Sequence, residues 1–243
     1  MSIIKLNAID STNDFLKELS KNQSLENFTT VVAKSQTRGR GQMGTQWQSE
    51  YGNNLIMSVL VKGLELDVEA IFVINCMVSV SIIEALKQFE VPNLSIKWPN
   101  DIMSDTKKIA GILIENSIRP DSTFSSVVGI GLNVNQKQFV GLPNASSMVL
   151  QAEKEFDLDD VLDKVLFQLN IYYDFVTNGK VNELWDLYHH YLFKKEVPVV
   201  FEDSEEKRFM GIINKVNRQG KLEVLLENDS IQSYTIKEIK MMY

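Results

Sequence analysis

Two hydrophobic rhythms alternate along this chain. Short β-branched or alternating runs at Ile3–Leu6, Phe28–Ala33, Leu55–Val61, Leu94–Trp98, Ile109–Ile114 and Phe124–Asn135 predict strands. Helical spacing takes over between Val68 and Phe89. There Ile71, Ile74, Val78, Ile82 and Leu86 recur with enough further apolar residues to predict a helix buried on much of its surface. Two more helices are expected at Leu158–Val176 and Val181–Leu192, and residues 136–157 read as a loop-rich, partly acidic connection. A shorter helix should open at Asp10-Ser11-Thr12-Asn13, because these capping side chains stand directly before the amphipathic run Phe15, Leu16, Leu19. Its free N–H groups, with the hydroxyl and amide side chains, suit a polar ligand, although capping alone explains them.

The texture changes near Phe193-Lys194-Lys195. Beyond it, short strands at Val197–Phe201, Phe209–Val216, Leu222–Leu226 and Ile231–Ile236, with turns at Asp203-Ser204 and Gln219-Gly220, predict a small β-barrel. The expected division is therefore 1–193 and 194–243, and nothing in the second part looks catalytic. Charge supports the division. Residues 194–243 hold nine Lys/Arg and nine Asp/Glu, so the whole net charge of −7 belongs to residues 1–193. Neither part has the basic footprint of a nucleic-acid binder. The single cysteine, Cys76, falls in the apolar helix, which excludes a disulfide framework and points to a reducing compartment. No charged segment followed by an apolar one opens the chain, and the most apolar helix is interrupted by Glu69, Asn75 and Glu84. A cytoplasmic protein with no membrane partner is expected. His189 and His190 are adjacent on a helix and cannot share one face as metal ligands.

Two polar stretches carry candidate chemistry. In the first, the strand Leu94–Trp98 stops at Pro99-Asn100-Asp101, and a loop with Lys97, Lys107, Lys108, Asp101 and Asp105 precedes the apolar run Ile109–Ile114, broken by Gly111. An amine beside a carboxylate at the mouth of a sheet suits phosphoryl chemistry, with a cation for developing charge and a hard oxygen for Mg2+. A solvated hairpin loop would carry the same residues. The second stretch, Lys34 to Gly44, has three cations and no acid. Gly39, Gly41 and Gly44 match G-x-G-x-x-G, but no helix opens at the last glycine and no Gly-Lys-Ser/Thr follows, so neither a dinucleotide fingerprint nor a Walker A loop is present. Backbone N–H groups with Arg38 and Arg40 can still wrap an anion, and Trp47 can cover a flat ligand. Gly129 and Gly131 lie on one face of a strand and leave a trough there, for a ligand or for close packing.

Together these stretches resemble the biotin–protein ligases. Lys97-Trp98-Pro99-Asn100-Asp101, Lys108-Ile109-Ala110-Gly111-Ile112-Leu113, Gly39-Arg40-Gly41, Asp10-Ser11-Thr12-Asn13 and Gly129-Ile130-Gly131-Leu132-Asn133 match that family's motifs in its order and at about its spacing. The resemblance implies an α+β fold: a mixed, mainly antiparallel sheet with helices packed on it, like a class II synthetase catalytic domain, plus an SH3-like C-terminal barrel. It implies that the biotin carboxylate attacks the α-phosphorus of ATP to give biotinyl-AMP. A lysine of a biotin carboxyl carrier protein, in acetyl-CoA carboxylase or a related enzyme, then attacks the anhydride. A homodimer is left open. By the same similarity Lys108 and Arg40 are the expected catalytic cations. Biotin is expected on Ser11, Thr12, Asn13, Gln36, Arg40, Gly41, Gln42, Lys108 and Gly111. ATP or the adenylate is expected on Gly39, Trp47, Lys97, Asn100, Asp101, Gly131 and Asn133, with Asp101 as the Mg2+ ligand. A mobile glycine-rich loop would order over the ligand and exclude water.

The chain departs from the family in two respects. Gln42 and Met43 stand where the family loop often has two further arginines, so loop closure should be weaker. The chain also starts directly at the catalytic domain, so a DNA-binding repressor is not expected. Lipoate–protein ligases and a silent biotin- or nucleotide-binding module are the alternatives. The Gly-Arg-Gly loop with Lys-Trp-Pro-Asn-Asp favours biotin over lipoate, and the presence of Arg40, Lys97 and Lys108 disfavours a silent module.

Overall fold

The computed structural model describes residues 2–64, 71–118 and 124–242. Seven strands form one sheet: β1 (Ile3–Leu6), β2 (Thr30–Ala33), β3 (Asn54–Lys62), β4 (Leu94–Lys97), β5 (Asp101–Ser104), β6 (Lys107–Ile118) and β7 (Phe124–Asn133). Their order is β1-β2-β3-β7-β6-β5-β4. Among the described strands only the β1–β2 pair is parallel, so the sheet is mixed and mainly antiparallel, as the resemblance implied.

Among the described residues five helices accompany it: α1 (Thr12–Asn22), α2 (Phe72–Lys87), α3 (Met148–Ala152), α4 (Leu158–Thr177) and α5 (Val181–His190). The predicted start of the long helix at Val68 lies outside the described residues; α2 begins at Phe72. Asn75, Ser79 and Ser81 are buried too, because they are satisfied locally: Ser79 donates to the Asn75 side-chain oxygen at 3.1 Å and Ser81 to the Met77 carbonyl at 2.6 Å. This helix is a core element, packed with α4 and α5 on one face of the sheet. The opposite face receives α1, whose Leu16 joins Val31, Leu60 and Val127 in a small separate cluster. Ser11 caps α1 by accepting the Asp14 N–H at 3.3 Å.

Four elements differ from the sequence reading. The segment after Pro99 is not a loop up to Ile109: Asp101–Ser104 forms β5, and a tight turn with Asp105 at positive φ leads straight into β6. Pro99 ends one strand only long enough to begin a hairpin. The 136–157 connection contains α3, and a short 3-10 turn forms at Gln42–Gly44. The C-terminal unit has five strands, not four: β8 (Pro198–Asp203), β9 (Arg208–Val216), β10 (Leu222–Leu226), β11 (Ile231–Tyr234) and β12 (Ile239–Met242), in the order β11-β10-β9-β8-β12. Strand β12 pairs with β8, far away in sequence, so no local signal announces it.

This small unit is clamped onto the large one. The Trp98 indole N–H donates to the Gly220 carbonyl at 2.9 Å, and the Val216 N–H donates to the His189 imidazole at 3.1 Å. The Arg218 guanidinium lies 4.7 Å from the Trp185 ring centre. Phe201, Ile213, Val216 and Leu222 belong to the same apolar cluster as α2 and the sheet.

Candidate active site

Strand register builds the floor of the site. Lys97, Asp101, Gly111, Gly131 and Ile56 are successive cross-strand partners, forming one transect of the sheet. Leu113, Gly129 and Ser58 form the next transect on the same face, and Glu115, Val127 and Leu60 the one after. Helix α1 covers the third transect through Leu16. The first two floor a cavity of about 490 Å³, a size suited to a small molecule.

At the α1 end the wall is polar and its bonds are made within the protein. Asn13 stands over Gly129, where any Cβ would collide with its amide. It donates to Glu115 at 2.9 Å, and its Oδ1 accepts the Ser58 hydroxyl at 2.6 Å. The Thr12 N–H donates to the Gln36 side-chain oxygen at 2.8 Å, and Ser58 lies 2.7 Å from the Thr12 hydroxyl. Ser58 is fully buried and was not singled out in the sequence. Its signal was there, a lone hydroxyl inside the apolar run Leu55–Val61.

The other end is charged. Lys108 Nζ lies 2.6 Å from Asp101, and its backbone is pinned to the segment after β7, donating to the Asn144 carbonyl at 2.8 Å and accepting from the Ser146 N–H at 2.9 Å. Asn100 is buried and spends its side-chain N–H on the Ile112 carbonyl at 2.7 Å, holding the tight turn into β5. Burial pushes the Lys97 ammonium below the usual lysine range; Asp101 opposes this, while Lys108 and Lys240 reinforce it. Lys240 and Ile236 come from the C-terminal unit and line the same cavity, although nothing in that unit looked chemical in the sequence. Their contribution depends on how the small unit docks, which local sequence does not encode.

A hairpin covers the cavity. The Trp47 N–H donates to the Gly39 carbonyl at 3.0 Å and the Gly41 N–H to the Thr45 carbonyl at 2.7 Å, so the glycine-rich stretch folds back on itself. Its arginines are tethered: Arg38 to Asp10, and Arg40 to Asp14 at 2.5 Å and to Glu115 at 2.9 Å. Hydrogen bonds from Thr37 and Arg38, with the Arg38 charge, hold the Asp10 carboxyl below its usual range. The Trp47 indole lies across Gly111 and Gly131, where a side chain at Gly131 would run into it. Lys108 Nζ is 5.6 Å from the ring centre, and the indole N–H has no hydrogen-bond partner among the described residues.

The biotin/lipoate A/B protein ligase family model matches residues 6–135. This chain belongs to that family. It is 31% identical over 198 residues to the bifunctional ligase/repressor BirA of Bacillus subtilis, covering 76% of this chain and 59% of that protein. It is 28% identical over 163 residues to the biotin–[acetyl-CoA-carboxylase] ligase of Mycobacterium tuberculosis, covering 65% of this chain and 59% of that one. The chain thus spans 59% of the length of the first curated relatives it matches. The solved biotin protein ligase of Aquifex aeolicus in complex with biotin and ATP superposes with a TM-score of 0.82 at 27% identity, covering 99% of this chain and 98% of that one.

Ser11, Thr12, Asn13, Gln36, Arg40, Gly41, Gln42, Trp47, Lys97, Asn100, Asp101, Lys108, Gly111 and Gly131 all line the one cavity. Gly39 does not; it is a buried residue of the hairpin itself, paired with Trp47. Asn133 does not either: its side-chain N–H donates to the Ser146 carbonyl at 2.9 Å, and its buried Oδ1 has no partner among the described residues. No cluster of three metal-ligating side chains exists among the described residues. A carboxylate–ammonium pair beside a hydrogen-bonding slot can bind an anionic small molecule together with a phosphate group.

Proposed function

We propose that this chain is an ATP-dependent biotin–protein ligase that forms biotinyl-AMP and transfers biotin to a lysine of a biotin carboxyl carrier domain. The observation that carries the reading is the single cavity: a hydrogen-bonding wall of Ser11, Thr12, Asn13 and Gln36 and the Lys97–Asp101–Lys108 cluster face each other across it. The wall supplies acceptors and donors side by side, the match for a cyclic urea, which has both. Gln36 has an amide N–H2 still to give and Ser11 a hydroxyl.

The biotin carboxylate oxygen bonds to the α-phosphorus while the bond to the β-phosphate oxygen breaks and pyrophosphate leaves. Attack of one anion on another needs preorganised positive charge, which Lys108, Lys97 and Arg40 supply. Mg2+ fits here in one way: Asp101 is the cavity's carboxylate among the described residues, and Mg2+ is commonly held by one or two carboxylates with substrate phosphates and water. Bound so, it would neutralise phosphate charge. In the second step the acceptor amine attacks the carbonyl, AMP leaves, and the amide forms with loss of one amine proton. The hairpin carrying Trp47 shields the anhydride from water.

Residues 1–193 carry this chemistry in our reading, and residues 194–243 add Lys240 and Ile236 to the rim. A protein acceptor rather than DNA suits the net charge of −7. Among the described residues no helix is long and apolar enough to cross a membrane, and we place the reaction in the cytoplasm, where ATP and thiol-reducing conditions coincide.

The test is biotin-dependent exchange of labelled pyrophosphate into ATP, with lipoate in parallel. Exchange with biotin alone supports the reading. Exchange with lipoate alone moves the chain to the sister activity, and exchange with neither, despite measured biotin binding, removes catalysis.

A further inference from the structure

Glu115 closes the motif that begins at Lys107-Lys108, yet it does not line the cavity. It stands one transect behind the floor, where α1, β6 and the hairpin meet. Its Oε2 accepts from the Arg40 guanidinium at 2.9 Å and from the Asn13 side-chain N–H at 2.9 Å; its Oε1 accepts the Lys17 ammonium at 2.9 Å. Two separate pieces of chain, α1 and the hairpin, are therefore tied through three donors to one carboxylate whose side chain is only 20% exposed. Because Asn13 donates here, its amide cannot flip, and its Oδ1 stays on the Ser58 side. Because Arg40 is shared between Glu115 and Asp14, the arginine of the hairpin is fixed at the α1 end of the cavity.

Resting on the ligase reading, we propose that Glu115 is a positioning residue for both steps: through Asn13 it orients the biotin wall, and through Arg40 it holds the hairpin shut over the adenylate. It touches neither substrate. Burial disfavours its charge, but the hydrogen bonds from Lys17 and Asn13 and the charges of Arg40 and Lys17 outweigh this and keep the carboxyl below its usual range. An ionised carboxylate offers enough lone pairs to accept all three donors at once, which a carboxamide cannot.

The experiment measures the biotin off-rate without ATP, and the loss of preformed biotinyl-AMP to hydrolysis, in wild type, Glu115→Gln and Glu115→Ala. The off-rate reports on Glu115 independently of catalysis, whereas wild-type pyrophosphate exchange reports on the ligase reading itself. Glu115→Ala should raise both rates at least about tenfold, as expected when a part-buried charge pair loses one member. Glu115→Gln, which keeps the shape, should fall between it and wild type. In an Arg40→Ala background, removing Glu115 should add less than about twofold to adenylate loss, because the two act on the hairpin as one unit. Multiplicative losses in the double variant would overturn the proposal. So would Glu115→Gln behaving as wild type, or a lowered Tm with both rates unchanged.

Discussion

The two ends of the cavity are built differently. At the α1 end, Thr12, Asn13, Gln36 and Ser58 are locked by protein hydrogen bonds, and each of these side chains is buried or half-buried. Their positions are settled by folding. At the charged end the space above Gly111 and Gly131 is filled by Trp47, a side chain on a surface hairpin, and Lys108 is held by Asp101. A triphosphate would have to share Lys108 with that carboxylate and fit around the indole. On the proposed ligase reading, the rigid end would discriminate between ring systems and the adaptable one would couple chemistry to closure.

The sharpest way to break this contrast is Lys108→Ala. It should lower single-turnover adenylate formation at least about tenfold, and up to about a hundredfold, with biotin affinity changed far less. An unchanged rate would remove Lys108 from the chemistry. Next is Gly131→Ala, whose methyl must displace the indole. The KM for ATP should rise about tenfold, the scale of an overpacked contact, while biotin Kd by calorimetry stays within about threefold. If both affinities fell together, the two ends would not be separable. Ser58→Ala tests the rigid end from below. Losing one neutral hydrogen bond there should weaken biotin about fivefold and leave ATP binding unmoved.

The smallest expected effect is in pH. The Glu115 carboxyl is lowered from 4.5 in the folded chain, so its stabilisation is fully present above pH 4.5 and is lost as pH falls through the lowered value. The gap in urea midpoint between wild type and Glu115→Gln should therefore be widest above pH 4.5 and shrink as the pH falls through the lowered value. A gap that stayed constant with pH would mean that the carboxylate's charge is not what stabilises this corner.

Much of this was legible in the sequence because the informative signals are local. The cap at Ser11, the Gly-Arg-Gly loop and the Lys97–Asp101 turn are each contained within a few residues, although the folding of that loop into a hairpin was not legible there. The same-face pairing of Gly129 with Gly131 followed from strand periodicity alone. What remained hidden needed register or docking. Gly111 joins Gly131 only once β6 and β7 are aligned. Ser58 comes under Asn13 only when β3 pairs with β7, and Lys240 reaches the cavity only through the seating of the small unit on Trp98 and α5. Strand β5 was misread for the opposite reason: a strong local breaker, Pro99, hid a short strand whose reason to exist is its partner β6.

The transects have a consequence for how this protein can evolve. The floor of the cavity is written as alignment between strands, so it is robust to many substitutions and fragile to changes in length. Deleting one residue within β6 would turn Gly111, Leu113 and Glu115 to the far side together, whereas losing one from the turn at residues 203–206 would leave every transect in place. Lineages descended from this chain should accumulate insertions and deletions in the connections between strands, while the spacing from Lys108 to Glu115 within β6 and from Val127 to Gly131 within β7 stays fixed even as the letters between them drift.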